Sequence, residues 1–259
     1  MLSVDLPAPV EDLSGAWCNS DAIVTSFLEA ISFVTPELED LVVRTVAEGI
    51  ATQPEWEMRQ RCRAFLREES RHSRLHRNFN SLLLEYLGTT PPGLGLVRAL
   101  LTGVSRHLSL SSRLLVVAAL EHFAAVLSKV YLSQKSRWNF RSASASVMFT
   151  QHAHEELAHR SVVFDLWFNH AGVGSVRRAA CVLAILLAAL VFLSLAVPWI
   201  LHRKTGKRWS AAVITLCGAL MKNRGHIKSH APLDELLFFA RGDFHPNRSI
   251  GLSVADPKK

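Results

Sequence analysis

The residues best suited to chemistry in this sequence are two glutamate–histidine pairs with identical spacing, Glu69 with His72 and Glu156 with His159. Residues three apart lie on one face of an α-helix, so each pair can present a carboxylate and an imidazole in the same direction. A Glu-x-x-His pair from each of two helices is typical of dimetal sites in four-helix bundles. One such pair alone is more often a solvated pair on a helix surface, but the repeat favours a metal site.

A single glutamate precedes each pair at a similar distance. Glu39 lies 30 residues before Glu69, and Glu121 lies 35 residues before Glu156. These distances fit antiparallel helices that bring their ligands to one height, with a turn midway between them. The sequence therefore predicts two helical hairpins in tandem, each of which donates one Glu and one Glu-x-x-His. Glu37 is an alternative to Glu39.

The predicted ligands interrupt stripes of apolar residues that would face a protein core. Burying carboxylates and imidazoles in such places is costly unless a metal ion or a partner neutralises them. The predicted metal ligands are Glu39, Glu69, His72, Glu121, Glu156 and His159. Three further residues on the same faces are expected to be extra ligands or groups that orient the ligands, namely His76, His152 and Glu155.

A ligand set rich in carboxylates, with one histidine per metal, indicates the metal. Iron(II) or manganese(II) fits such a set better than zinc, which usually takes more nitrogen or sulfur ligands. We expect two divalent ions, with iron favoured over manganese or zinc. Anionic oxygen ligands stabilise oxidised metals, which favours an oxygenase, oxidase or desaturase over hydrolysis by a metal-activated water.

The stretch from Ala179 to Leu201 contains no charged residue and is bracketed by basic residues. This is long enough to cross a bilayer, which needs about 20 apolar residues. The alternative is a buried central helix, but such helices seldom lack any polar stripe. A shorter apolar stretch, Trp209 to Met221, would lie in the membrane interface or complete a hairpin. The hydrophobic helix beside the metal site suggests a hydrophobic substrate.

Charge and composition bear on partners and location. The net charge of +7 favours anionic partners. The arginines between residues 59 and 74 are expected to form a solvated helix surface or to contact anionic lipid; nucleic acid is not expected, because no aromatic residues interleave with them.

Residues 1–14 lack the features of a secretory signal, and the four cysteines are scattered, so the metal domain is expected on the cytoplasmic side of a membrane. The alternative to an enzyme is a non-enzymatic protein that stores metal or docks to a membrane.

Turn signals and hydrophobic periodicity predict an all-α protein. The expected helices cover residues 35–51, 55–86, 97–133 and 142–170, and the chain after Met221 is expected to be a peripheral tail. The predicted division is a dimetal helical bundle over residues 1–175, a membrane helix over residues 176–204 and a basic amphipathic tail over residues 205–259.

Several of these segments together resemble a bacterial family of "predicted metal-dependent hydrolases" of ferritin-like type. The segments that carry the resemblance are Phe33 to Glu39, Phe65 to His76, Glu121-His122, Gln151 to His159 and Phe164-Asp165. The chain departs from the family's pattern at Glu68, Gln151 and Ala158, none of which is a proposed ligand. The resemblance implies a ferritin-like bundle that binds two metals. The hydrolase in the family's description is itself a prediction and does not define the reaction.

Overall fold

The structure, a computed structural model, describes residues 13, 15–134, 138–171, 174–222 and 231–248. These residues form helices joined by short connections, and no strand occurs among them beyond an isolated bridge between Cys18 and Phe140. The all-α prediction is therefore confirmed. The α-helices are α1 (Ala22–Ala51), α2 (Trp56–Leu87), α3 (Leu94–His107), α4 (Leu110–Ser133), α5 (Ala143–His159), α6 (Val162–Ala171), α7 (Ser175–Thr205), α8 (Trp209–Lys222) and α9 (Ala231–Phe238).

Four of these helices, α1, α2, α4 and α5, form the framework of the predicted site. Helices α1 and α2 are joined by a turn at Pro54 and pack along each other, and α4 and α5 pack in the same way. The two hairpins meet through contacts of α1 with α4 and of α2 with α5. This is the tandem arrangement that the spacing of the glutamates predicts.

Helix α1 begins earlier than predicted. Asp21 caps it by accepting hydrogen bonds from the backbone of Ile23 and Val24, so the start predicted at Thr35 is wrong and Pro36 lies inside the helix. A proline has no N–H to donate to the carbonyl four residues earlier, which here belongs to Ser32. The side chain of Asn80 on α2 donates to that carbonyl instead, at 2.8 Å.

Two helices predicted to be continuous are interrupted. The segment 97–133 is divided into α3 and α4, because Ser109 begins a new helix by accepting a hydrogen bond from the backbone N–H of Ser112. The segment 142–170 is divided into α5 and α6 at Arg160 and Ser161, where no glycine or proline marks the break. Helix α5 therefore ends at His159, so this predicted ligand occupies the last turn of its helix.

Helix α7 contains the predicted apolar stretch and lies beside the bundle, against α1 and α4. At its beginning Arg178 donates to the backbone carbonyl of Arg241, and near its end Lys204 pairs with the buried Glu29 at 2.7 Å. One face packs on the bundle, whereas Leu183, Leu187 and Leu190 on the other face remain more than half exposed. The beginning of α7 is thus attached to the segment after α9 and its end to α1, while one apolar side stays open.

Two helices in the described part of the chain are long and apolar enough to cross a membrane. Helix α4 has a mean hydropathy of 1.6 and is 61% buried, as expected of a core helix. Helix α7 has a mean hydropathy of 3.0 and is only 22% buried. The bundle therefore covers most of the apolar surface of α4 but leaves most of that of α7 exposed.

The segment 231–248 is not the peripheral tail expected from its mixed composition. Phe239 and Phe244 are buried in the core and pack around His122 of α4. Lys129 of α4 also pairs with Glu235 of α9 at 3.1 Å, and both side chains are almost fully buried. The three phenylalanines of this segment, Phe238, Phe239 and Phe244, are the sequence signal that indicates a buried position. The expectation for the first 14 residues lies outside the described residues except at Leu13.

Candidate metal centre

The six predicted ligands converge in the interior of the two hairpins. Helices α1 and α4 each supply one glutamate, and α2 and α5 each supply a Glu-x-x-His pair on the face that meets the other hairpin. Each of the six residues exposes 7% or less of its surface: Glu39, Glu69, His72, Glu121, Glu156 and His159. Glu37 instead pairs with Arg98 near the surface at 2.9 Å, so the structure favours Glu39 over this alternative.

The distances between ligand atoms suit a small cation. His72 Nδ1 lies 3.6 Å from Glu69 Oε2 and 3.8 Å from Glu156 Oε1, and His159 Nδ1 lies 3.1 Å from Glu69 Oε1. Ligand atoms of Glu69, His72 and Glu156 all lie within 4.8 Å of one another. Glu39, His72 and His152 form a second set with the same property. The two sets share His72 and therefore adjoin each other, and each could hold a metal ion.

Several atoms that face this centre have no hydrogen-bond partner among the described residues. They are both carboxylate oxygens of Glu39, one each of Glu121 and Glu156, and Nδ1 of His72. A buried polar atom without a partner costs about 1–3 kcal/mol, and such atoms are rare in folded proteins. Their concentration at one place fits metal ligation, because a bound cation would satisfy all of them at once.

The charges of the carboxylates oppose one another in the absence of a cation. Burial, followed by the charges of Glu69 and Glu156, raises the pKa of Glu39 well above its usual range. Burial and three neighbouring glutamates do the same to the pKa of Glu121. Burial alone would raise the pKa of Glu69, but the hydrogen bond from His159 and the proximity of the His72 imidazole outweigh it and lower that pKa to about 2. Divalent cations would favour the ionised form of every one of these groups.

The outward nitrogens of the two predicted histidine ligands are held by glutamates of the opposite hairpin. His72 Nε2 hydrogen-bonds to Glu155, and His159 Nε2 hydrogen-bonds to Glu68. Each of these glutamates directly precedes the glutamate of a Glu-x-x-His pair, so the repeated unit is Glu-Glu-x-x-His. Carboxylates in this position orient imidazole ligands and increase their basicity. Glu155 was among the sequence candidates; Glu68 was missed, although the doubled glutamates were visible.

Glu155 is itself tied to two neighbours. Arg71 Nη2 lies 2.5 Å from its carboxylate oxygens, and Gln151 donates to it at 3.1 Å. Burial would raise the pKa of Glu155, but hydrogen bonds from His72 and Arg71 outweigh it and lower the pKa to about 2. Burial would likewise lower the pKa of His72, but Glu155 and Glu69 raise it to about 9. Arg71 is therefore part of the site and not only of the solvated stripe expected from the sequence.

The remaining candidates, His76 and His152, are placed differently. His152 Nε2 faces the centre, 2.8 Å from Glu156 Oε1 and 3.8 Å from Glu39 Oε1. His76 Nε2 contacts His152 Nδ1 at 2.9 Å, and burial together with the neighbouring histidines lowers the pKa of His76 well below its usual range. His76 therefore lies behind His152 as a supporting group, whereas His152 can reach a metal.

A small cleft leads towards the histidine side of the centre, with an empty volume of about 180 Å³. Its lining residues are His72, Leu75, His76, Met148, Gln151, His152 and Glu155. Part of this volume is open solvent, and the space between the side chains does not hold a water-sized molecule. Entry of dioxygen or of a larger substrate therefore requires side chains such as Met148 to move.

Comparisons with known proteins agree with this geometry. The sequence model of a family described as "Predicted metal-dependent hydrolase" matches residues 3–249. No curated protein and no solved structure gives a significant match. The family match covers nearly the whole chain, including all four helices that bear the predicted ligands. The chain belongs to the family of predicted metal-dependent hydrolases.

Proposed function

We propose that the protein is a dimetal-carboxylate enzyme. The observation that carries this proposal is the set of buried, unpartnered ligand atoms on Glu39, His72, Glu121 and Glu156, which converge from four helices. A folded protein that keeps so many unsatisfied polar atoms together needs a cation to compensate them.

The ligands would divide between two ions across the hairpins. Glu39 and His72 would hold one ion and Glu121 and His159 the other. Glu69 lies near both histidines and Glu156 lies near His72, so these two carboxylates would contribute to both. Nδ1 of each histidine faces a carboxylate of the centre, while Nε2 is bound by Glu155 or Glu68. The outer hydrogen bonds leave Nδ1 as the ligating atom of both rings.

Iron is the metal that this donor set favours, and dioxygen is the co-substrate. A bound pair of irons would supply electrons for the activation of dioxygen, and carboxylate ligands suit the oxidised metals. The protein's own residues would keep the centre buried, orient both imidazoles and supply the negative charge. The narrow cleft beside His152 and Met148 would have to open by side-chain movement to admit dioxygen, and until it opens it would keep water from the centre.

Hydrolysis is the second candidate, and the observation in its favour is the description of the family. A dimetal pair can generate a nucleophile by lowering the pKa of a bound water. The same ligands would serve, so the two reactions differ in the metal and in the need for dioxygen. The identity of the metal therefore separates them.

Membrane association completes the proposal. The open face of α7 exposes Leu183, Leu187 and Leu190, and exposed basic residues follow at Lys207 and Arg208. A long apolar surface with adjoining basic residues suits a membrane with anionic headgroups. We place the metal bundle on the cytoplasmic side, where the substrate would be a hydrophobic molecule taken from the lipid.

The proposed function is tested by measuring metals and dioxygen together. Protein purified in detergent without metal would be titrated with Fe(II) under argon, the bound iron counted, and dioxygen uptake followed after mixing with air-saturated buffer. We expect two irons per chain and rapid uptake. Stable binding of two zinc or manganese ions without uptake would replace the oxidative reaction with hydrolysis, and binding of less than one ion would overturn the dimetal centre.

Two variants connect the result to the site. Glu156→Ala removes a carboxylate that belongs to the compact set with Glu69 and His72, and we expect it to lose at least one ion. Glu85→Ala removes an exposed glutamate of α2 and serves as the matched control. Equal iron content in both variants would refute the ligand assignment.

A further inference from the structure

A chain of buried hydrogen bonds runs from the interior of the α1–α2 hairpin to the metal centre. Asn80 and His76 of α2 both contact the hydroxyl of Ser32 on α1, at 2.7 Å and 2.8 Å. His76 Nε2 then contacts His152 Nδ1 of α5 at 2.9 Å. Ser32, His76 and Asn80 are all buried, so water does not compete for these bonds.

The direction of every bond in this chain follows from its first member. The backbone carbonyl of Ser32 lacks its helical donor because Pro36 has no N–H, and a carbonyl can only accept. The Asn80 amide must therefore turn its Nδ2 towards that carbonyl, at 2.8 Å, which leaves Oδ1 to accept from the Ser32 hydroxyl.

The same logic continues through the two histidines. Because the hydroxyl of Ser32 already donates to Asn80, it must accept from His76 Nδ1–H. The ring nitrogens of His76 contact a hydroxyl and an imidazole and no carboxylate, and a neutral His76 protonated on Nδ1 carries a lone pair on Nε2. That lone pair accepts from His152 Nδ1–H. His152 then has only Nε2 to offer to the centre, where Glu156 Oε1 lies 2.8 Å away and a proton or a metal ion must lie between the two atoms.

We propose that Asn80, Ser32 and His76 fix the tautomer of His152 and thereby make His152 Nε2 a third imidazole ligand of the metal centre. This inference rests on the proposed dimetal function and adds a ligand to it. His152 Nε2 lies between Glu156 and Glu39, and its ring stacks on that of His72 with 4.3 Å between centroids. Its ligand atom also belongs to one of the two compact sets, with Glu39 and His72.

The third imidazole makes the two metal positions unequal. The position next to His72 and Glu39 gains a second nitrogen ligand from His152, whereas the position next to His159 keeps one. Nitrogen ligands shift metal preference and affinity, so the two positions are expected to fill at different metal concentrations. His152 and His72 both line the small cleft, so the nitrogen-rich position would lie beside it.

The first test needs no metal. In metal-free protein labelled with ¹⁵N-histidine, long-range ¹H–¹⁵N correlation spectra distinguish which ring nitrogen carries the proton. We expect His76 to carry it on Nδ1, and Ser32→Ala to move it to Nε2 because the acceptor is lost. Ser26→Ala removes a hydroxyl from the same helix that is equally buried and has no hydrogen-bond partner in the described part of the chain, so it is the matched control. A proton on His76 Nε2 in the unaltered protein would overturn the inference.

The second test measures ligation. Binding of Co²⁺ is followed by its visible absorption, and we expect two binding steps in the unaltered protein. His152→Ala should weaken one of these steps by at least about tenfold. Ser32→Ala should weaken the same step by about tenfold, as the loss of a ligand-orienting group does. His154→Ala, an exposed histidine of α5, should bind like the unaltered protein. Identical binding by the His152 and His154 variants would refute the third ligand. Failure of the unaltered protein to bind two ions would instead refute the proposed function, while the spectra of His76 would still test the hydrogen-bond chain.

Discussion

His72 on α2 hydrogen-bonds through Nε2 to Glu155 on α5, the residue directly before the Glu-x-x-His of the opposite hairpin. His159 makes the equivalent bond to Glu68. Each hairpin therefore orients the imidazole that the other one supplies. This exchange links the two hairpins at the candidate metal centre, since neither histidine is held in place by its own hairpin alone.

Removing either outer glutamate should weaken metal binding without removing a ligand. We expect Glu155→Ala and Glu68→Ala to lower metal affinity by about 10–100-fold, the usual cost of losing such a group. Glu155→Ala should have the larger effect, because Glu68 is 43% exposed and water can replace it, whereas Glu155 is 23% exposed. Competition with a chromophoric chelator would measure this, with the surface variant Glu37→Gln as control. Unchanged affinity in both variants would contradict the orienting role.

Neutralising one carboxylate of the centre should stabilise the metal-free protein. Burial and the neighbouring charges disfavour an ionised Glu121, so Glu121→Gln should raise the free energy of unfolding in the presence of a chelator by on the order of 1 kcal/mol. The same variant should gain less thermal stability from added Mn²⁺ than the unaltered protein does. Thermal unfolding with and without metal would test both statements, and Glu85→Gln is the exposed control. A less stable metal-free variant would contradict the prediction.

The buried Glu29 should make stability depend on pH. Burial raises its pKa to about 7, and the raising effect exceeds the lowering effects of Lys204 and Trp17. The folded state then holds its proton more tightly than the unfolded state, whose ordinary value is 4.5, so stability falls as pH rises from 4.5 to 7.

Comparison with Glu29→Gln isolates this contribution. The unfolding free energy of the unaltered protein, relative to the variant, should decrease by at most about 3 kcal/mol over that range. Urea unfolding at a series of pH values in the presence of a chelator would measure the difference. A difference that is constant with pH, or that grows as pH rises, would show that Lys204 holds the carboxylate ionised throughout.

The open face of α7 should be needed for membrane binding. We expect Leu187→Glu with Leu190→Glu to abolish co-flotation with liposomes that contain anionic lipid, because the charges would have to enter the apolar layer. Leu237→Glu changes a comparably exposed leucine on α9 and should leave flotation intact. Equal loss in both proteins would indicate a general effect of added charge and contradict a role specific to α7.

The sequence was sufficient to predict the tandem hairpins and the burial of the six candidate ligands, because helix periodicity and chain spacing are local properties. It was not sufficient for Glu68, Ser32 or Asn80, because their roles depend on which side chains of distant helices come opposite them. The start of α1 was misplaced for a related reason. Pro36 has the usual signature of a first helical residue, and only tertiary contacts show that the helix continues through it.

Pro36 also limits how this protein can be stabilised by engineering. Replacing a proline in the middle of a helix by alanine ordinarily gains about 3 kcal/mol, so Pro36→Ala would be an obvious choice in a stability screen. Here the restored N–H would compete with Asn80 for the Ser32 carbonyl and free the amide to turn over. A more stable helix would then be obtained at the expense of a defined proton position two histidines away, and selection for thermal stability alone would not reveal the loss.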